Sequence, residues 1–235
     1  MSITKVHKSS KPIEPLHPEL EAALYYYPGI GRMIKHPLVF VVCYDPKNHD
    51  FYNQSLKKLK ELKERTHKEK RWFNYLLLHQ RPFRITALLE IQNQLSNQDY
   101  WRLFAEIVTD TNNFWEWKNT FRRIITKNKP EIEYMMNKRE QRYFGSLPNA
   151  ITIYRGCNRK NRHGFSWSLS KKVARKFSTW RNTEKPIVRI GQCNKSDVIA
   201  YLSHRAEREI LIFPENVFDI IEERVKLTPS RIVNN

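Results

Sequence analysis

Ile151-Thr152-Ile153-Tyr154-Arg155-Gly156 marks the point where the chain changes character. Its first four residues alternate and are rich in β-branched side chains, the pattern of a half-buried strand. Further on, Phe165–Ser168, Ile187–Ile190, Val198–Leu202, Glu209–Phe213 and Val217–Ile221 are also strand-like, with turn residues between most of them. A helix over 170–181 interrupts this series. Ser170 is its N-cap, and Val173, Ala174 and Phe177 form its apolar face.

Before residue 148 the texture is helical. Leu20, Leu24 and Tyr27 fall at a helical spacing until Pro28-Gly29 breaks the run. The apolar run 38–43, before Asp45-Pro46, is compatible with a short buried strand and with a helix end. Over 54–80, Leu56, Leu59, Leu62, Trp72, Phe73, Leu76 and Leu77 recur at helical intervals, with Lys and Glu on the other face. Helices are also expected over 83–95, 98–110, 114–127 and 131–144, the last ending at Gly145-Ser146-Leu147-Pro148. Ser96-Asn97 and Asn112-Asn113 supply capping chemistry for two of them. The core-packing reading covers Trp72, Trp101, Trp115 and Trp117. Helices followed by strands make an α+β chain. The expected division is a flexible basic lead-in at 1–17, a helical subdomain at 18–147 and a β-rich core at 148–235.

Composition narrows the classes of function. The 235 residues are 40% hydrophobic, enough to bury a core, and the formal net charge is +18, from 42 basic and 24 acidic residues. A charge so far from zero repels itself and points to a polyanionic partner or substrate. Met1–Pro18 has no apolar run, which argues against a signal peptide, and Leu38–Cys43 is far too short to span a bilayer. Three cysteines without close spacing argue for a reducing, cytoplasmic setting. Cys157, His163, Cys193 and His204 are irregularly spaced, so no metal is expected.

Three short signals carry the chemistry: Tyr154-Arg155-Gly156, Gly164-Phe165-Ser166-Trp167-Ser168-Leu169, and Glu207-Arg208-Glu209 entering the apolar run Ile210–Phe213. Each has a plain structural reading: a surface Arg at a strand end, outward serines before a helix cap, and charges that protect an edge strand. Glu207 and Glu209 are two apart, so within a strand both would point to one face. The weight lies in the ordered set.

In that order and context the residues resemble the Arg–Ser–Glu class of ADP-ribosyltransferases, over about residues 148–221. Arg155 resembles the motif Arg, and Ser166-Trp167-Ser168 the Ser-Thr-Ser element. Glu209 resembles the catalytic Glu, and Glu207 the acid two residues before it. Trp167 departs from the family, which usually has Thr there. The resemblance implies a split β-sheet core, NAD+ as co-substrate and mono-ADP-ribosyl transfer. An acid at the position of Glu207 is often associated in the family with protein arginine acceptors. The resemblance also suggests toxin systems or phage–host conflict, and with them a protein inhibitor or antitoxin.

The chemistry accounts for these residue types. Cleavage of the nicotinamide–ribose bond develops positive charge on the ribose, as glycoside cleavage does, and nicotinamide leaves without a general acid. A fixed carboxylate, Glu209, facing that charge is the useful device. Arg155 is the candidate for the pyrophosphate, and Ser166 for holding Glu209 in its rotamer. Tyr154, Phe165 and Trp167 are candidates for stacking on nicotinamide. Gly156 and Ser168 complete the NAD+ set, and Glu207 is the candidate for activating the acceptor.

Between Arg155 and Arg181 stand nine basic residues and no acid. Some form a solvated helix face. Arg159, Lys160, Arg162, Lys172, Arg175 and Lys176 are candidates to rim the site and steer a phosphate backbone towards it. RNA or DNA is therefore placed slightly ahead of protein arginine as acceptor. The rivals are a non-catalytic nucleic-acid-binding protein, an NAD+ glycohydrolase with water as acceptor, and a scaffold that has lost activity.

Overall fold

Helix and sheet are mixed along the chain in the computed structural model, which describes residues 14–110, 117–127, 129–159, 161–180, 185–203 and 206–225. Packing divides the chain into two units, Met1–Glu90 and Ile91–Asn235. Most of the expected lead-in, 1–13, lies outside the described residues.

In the first unit, helix α1 (Pro18–Ala22) is capped by His17, whose side chain accepts from the Glu19 N–H. Strands β1 (Leu24–Tyr27) and β2 (Gly31–Lys35) form an antiparallel hairpin, and β3 (Phe40–Val41) adds to β2. The helical spacing of Leu20, Leu24 and Tyr27 is thus not realised: the helix stops at Ala22. Three consecutive tyrosines favour the strand, and Gly29 (φ 83°) and Gly31 (φ 102°) supply a turn that residues with a Cβ resist. The 38–43 run resolves as a two-residue strand, with Leu38 and Val39 buried beside it. The helix expected over 54–80 is two, α2 (His49–Lys68) and α3 (Trp72–Leu78). Lys70 takes a left-handed φ of 53°, and the Arg71 N–H closes onto the Thr66 carbonyl at 2.8 Å, so the first helix ends there. Leu20, Ile34, Leu38, Tyr52 and Leu56 make the core, and α4 (Arg84–Ile91) follows.

The second unit holds α5 (Asn97–Asp110), α6 (Lys118–Thr126) and α7 (Lys138–Gly145). Ser96 caps α5, accepting from the Asp99 N–H at 3.0 Å. Asn112-Asn113 and Trp115 fall outside the described residues. The helix expected over 131–144 is a short turn, Ile132–Met135, followed by α7, because Asn137 and Glu140 form a capping box that restarts the helix.

Next come β4 (Ala150–Cys157), β5 (Ser166–Ser168), α8 (Lys171–Ser178), β6 (Ile187–Asn194), β7 (Val198–Leu202), β8 (Glu209–Ile212) and β9 (Phe218–Arg224). They form one six-stranded antiparallel sheet in the order β7-β8-β5-β4-β6-β9. Strands β4 and β5 meet at the register pair Tyr154–Ser168 alone, whereas β4 and β6 pair along all eight residues. The sheet is therefore narrowest between β4 and β5, with three strands on either side.

A chain of rings joins helices to this sheet: Trp101 to Phe104 at 5.8 Å, Phe104 to Phe121 at 5.7 Å, Phe121 to Phe165 at 4.6 Å and Phe165 to Phe213 at 5.7 Å. Each of the buried phenylalanines Phe104, Phe121 and Phe165 is worth about 1.5–3 kcal/mol. This shared core explains why the units divide at Glu90, whereas the change of texture near residue 148 marks only the switch from helix to strand.

Candidate functional site

Register decides which motif residues meet. Leu202, Glu209, Ser168 and Tyr154 are successive partners across β7, β8, β5 and β4, so their side chains leave the sheet on one face. Ser166, two residues from Ser168, shares that face. Glu209 begins a strand whose four residues are all buried, and is itself 8% exposed. Desolvation pushes its pKa up to about 7; the nearby Glu207 charge adds to this, while a hydrogen bond from Ser166 and the Arg155 charge oppose it. Such a carboxyl is poised between its two forms at neutral pH.

Arg155 is one residue beyond Tyr154 and emerges on the opposite face, in register with Arg189 and Glu222. Its guanidinium nevertheless reaches across to β5: Nη1 donates to the Ser166 carbonyl at 2.5 Å and Nη2 to the Asn161 carbonyl at 2.9 Å. Nε has no hydrogen-bond partner among the described residues. Burial and the adjacent Arg189 charge lower the Arg155 pKa. Gly164 makes room for this guanidinium, since a Cβ there would lie 2.1 Å from Nη2. Ser166 is thus the junction of the set, its carbonyl held by Arg155 and its hydroxyl turned to Glu209.

Ser168 has a fastening role. Its hydroxyl donates to the Glu207 carbonyl at 2.7 Å and accepts from the Ser170 N–H at 3.0 Å, tying the turn before β8 to the start of α8. That turn corrects the expectation for Glu207. Strand β8 starts only at Glu209, and Ala206 (φ 57°) and Arg208 (φ 50°) are left-handed. Glu207 therefore reaches its neighbour through a turn, not through strand alternation.

Helix α7 braces the same turn, which the sequence reading missed. The buried Glu140 carboxylate accepts from the Ser203 N–H at 2.6 Å, the Ser203 hydroxyl at 2.8 Å and the Asn137 N–H at 2.8 Å. Arg208 donates to the Tyr143 hydroxyl. The Asn-x-x-Glu spacing was a readable signal for the cap, but nothing local announced the contact with Ser203.

Two of the three aromatics are core residues. Phe165 (1% exposed) sits among Phe121 and Phe213, and Trp167 (2%) is buried with the Arg189 guanidinium 5.8 Å over its ring. Neither ring is open for nicotinamide, while Tyr154 is half-buried and remains in the row with Glu209. Gly156 has a packing role: a Cβ there would lie 1.9 Å from the Ala174 carbonyl oxygen of α8.

The basic run is partly neutralised by acids of β9. Arg162 pairs with Glu222, Lys171 with Glu223 at 2.6 Å, and Arg175 lies 3.9 Å from Glu223. Arg159, Lys172 and Lys176 are exposed, and Lys160 lies outside the described residues. Among the described residues no group of three His, Cys, Asp or Glu side chains could hold a metal, and no helix is long and apolar enough to cross a membrane. Comparison of the chain with protein-family models, curated proteins and solved structures returned no match.

Proposed function

We propose that the protein is an NAD+-dependent mono-ADP-ribosyltransferase with Glu209 as its catalytic carboxylate. The observation that supports this best is the adjacency of β8, β5 and β4, which puts the Glu, Ser and Arg motifs on three neighbouring strands with Ser166 touching both of the others. NAD+ would supply the ADP-ribosyl group, its nicotinamide leaving with the electron pair of the glycosidic bond.

Glu209, in its ionised form, accepts a hydrogen bond from the ribose and faces the positive charge at the sugar carbon; its buried setting strengthens that interaction. Ser166 fixes the carboxylate. Arg155 is a positioning residue, because two of its donor nitrogens hold the backbone carbonyls of Ser166 and Asn161. Tyr154 is the aromatic that offers a face to nicotinamide. Glu207, half-buried beside Glu209, takes the proton of the acceptor nucleophile. The exposed cations Arg159, Lys172 and Lys176 favour nucleic acid as acceptor over protein arginine.

Incubation with NAD+ labelled in the adenylate moiety and mixed cell extract tests this reading. Label is expected in a nuclease-sensitive fraction. Label only in protease-sensitive material would move the acceptor to protein, and free ADP-ribose with no labelled macromolecule would remove the transferase reading.

A further inference from the structure

We infer that the C-terminal end of α8 is a docking platform for single-stranded nucleic acid. Phe177 (38% exposed) and Trp180 (52%) stand at this end with their rings 5.7 Å apart and within 7° of parallel. Exposed aromatic side chains of this size are suited to contact with a partner's flat apolar faces. The buried side of the helix is Ala174 and Ser178, which pack towards β4. Lys172 and Lys176, four residues apart, lie together on the outward side and are exposed. Arg175 is 61% exposed. The segment Lys171–Ser178 contains no acid, and among the described residues Glu223 of β9 is the acid paired with it, shared by Lys171 and Arg175.

Charge and aromatics together select the occupant. A chain of net charge +18 with lysines beside parallel rings is complementary to a polyanion that also carries flat faces. Stacking on such rings needs unpaired bases, which a duplex keeps stacked on one another.

The platform also lies near the candidate site. Helix α8 is tied at its start to the Ser168 hydroxyl, which neighbours Glu209 in register. Its eight residues place the rings about 12 Å along the axis from there. Docking stands by itself; delivery of the docked strand to Glu209 rests on the transferase reading.

Fluorescence anisotropy with a labelled oligouridylate and a duplex of equal length tests the platform on the full chain. The single strand is expected to bind more tightly than the duplex. Replacing both rings (F177A/W180A) is expected to weaken single-strand binding about tenfold or more with an unchanged salt slope. K172A/K176A is expected to reduce the slope of log K against log salt by about 1.4. All four side chains are on the surface, and circular dichroism of the variants checks the fold. F177A/W180A keeps the wild-type rate of nicotinamide release measured without oligonucleotide, and E209Q binds the oligonucleotide like the wild type, so docking and chemistry fail separately. Binding of F177A/W180A within twofold of wild type, or duplex bound as tightly as single strand, overturns the proposal.

Discussion

Ser166 on β5 shares a sheet face with Glu209 on β8, and the interaction of its hydroxyl with the carboxylate opposes the burial that holds the Glu209 pKa at about 7. Since the ionised form is the active one, nicotinamide release by the wild type is expected to rise with pH through about 7. Ser166→Ala removes a bond that favours the charged form, so the inflection moves to higher pH and the rate at neutral pH falls. The pH profile of kcat/KM is the measurement. A profile that is flat between pH 6 and 8 in both proteins contradicts the assignment.

The same shift sets a stability signature. The folded-state pKa of Glu209, about 7, lies above its ordinary value of 4.5, so the folded protein holds the proton more tightly than the unfolded chain. The contribution is full below pH 4.5 and is lost as pH rises through 7, an effect of about 3 kcal/mol at most. Glu209→Gln is neutral at every pH. It is expected to raise Tm relative to wild type at pH 8 and to leave it little changed at pH 5, as thermal unfolding at the two pH values will show. Equal effects at both would mean that burial does not penalise the charge.

Two glycines separate packing from chemistry. Ala at Gly156 would push its methyl against the α8 backbone, 1.9 Å from the Ala174 oxygen and 2.6 Å from the Ser178 nitrogen. G156A is expected to lose about 1–3 kcal/mol or more in urea unfolding, because a helix must move. At Gly164 the obstacle is the Arg155 guanidinium itself, 2.1 Å away. G164A is therefore expected to keep more of its stability and lose more of its nicotinamide release, by displacing Arg155 from Ser166. The reverse ranking would show that Arg155 is not what positions Ser166.

Much of the second unit was legible because its elements carry local signatures. Ile151 and Ile153 alternate inward as β4 requires, and Ser170 caps α8 through the Val173 N–H. What escaped was non-local or ambiguous. Leu24 and Tyr27 completed a helical spacing with Leu20 by coincidence within a short window, and Lys70 ends α2 at a position where Gly is the usual signal. Trp167 looks the same in sequence whether it stacks on a ligand or fills a core; only its partner strands decide. The acids that neutralise Arg162, Lys171 and Arg175 lie on β9, far along the chain and adjacent only after folding. The adjacency of β4, β5 and β8 belongs to that class as well: order in the chain suggested it, and register in the sheet gives it geometry.

Glu140 supplies a prediction from outside the motif. Its carboxylate serves three donors, two on Ser203 and one at the Asn137 cap. Glu140→Ala leaves them without that acceptor and costs about 2–4 kcal/mol, measured by urea unfolding. Since Ser203 follows Leu202, the register partner of Glu209, nicotinamide release at a temperature where the variant is fully folded is expected to fall too. A stability loss with unchanged release would confine Glu140 to the cap.

The most direct measurement is nicotinamide release from NAD+ by purified wild type and Glu209→Gln, with oligonucleotide present as acceptor and both proteins shown to be folded. Loss of the fixed carboxylate is expected to lower the rate by at least about a hundredfold, the scale of removing one electrostatic stabiliser from a buried site. Equal rates in the two proteins, or no release above the uncatalysed background in the wild type, would contradict the role assigned to Glu209 and with it the catalytic reading of this sheet.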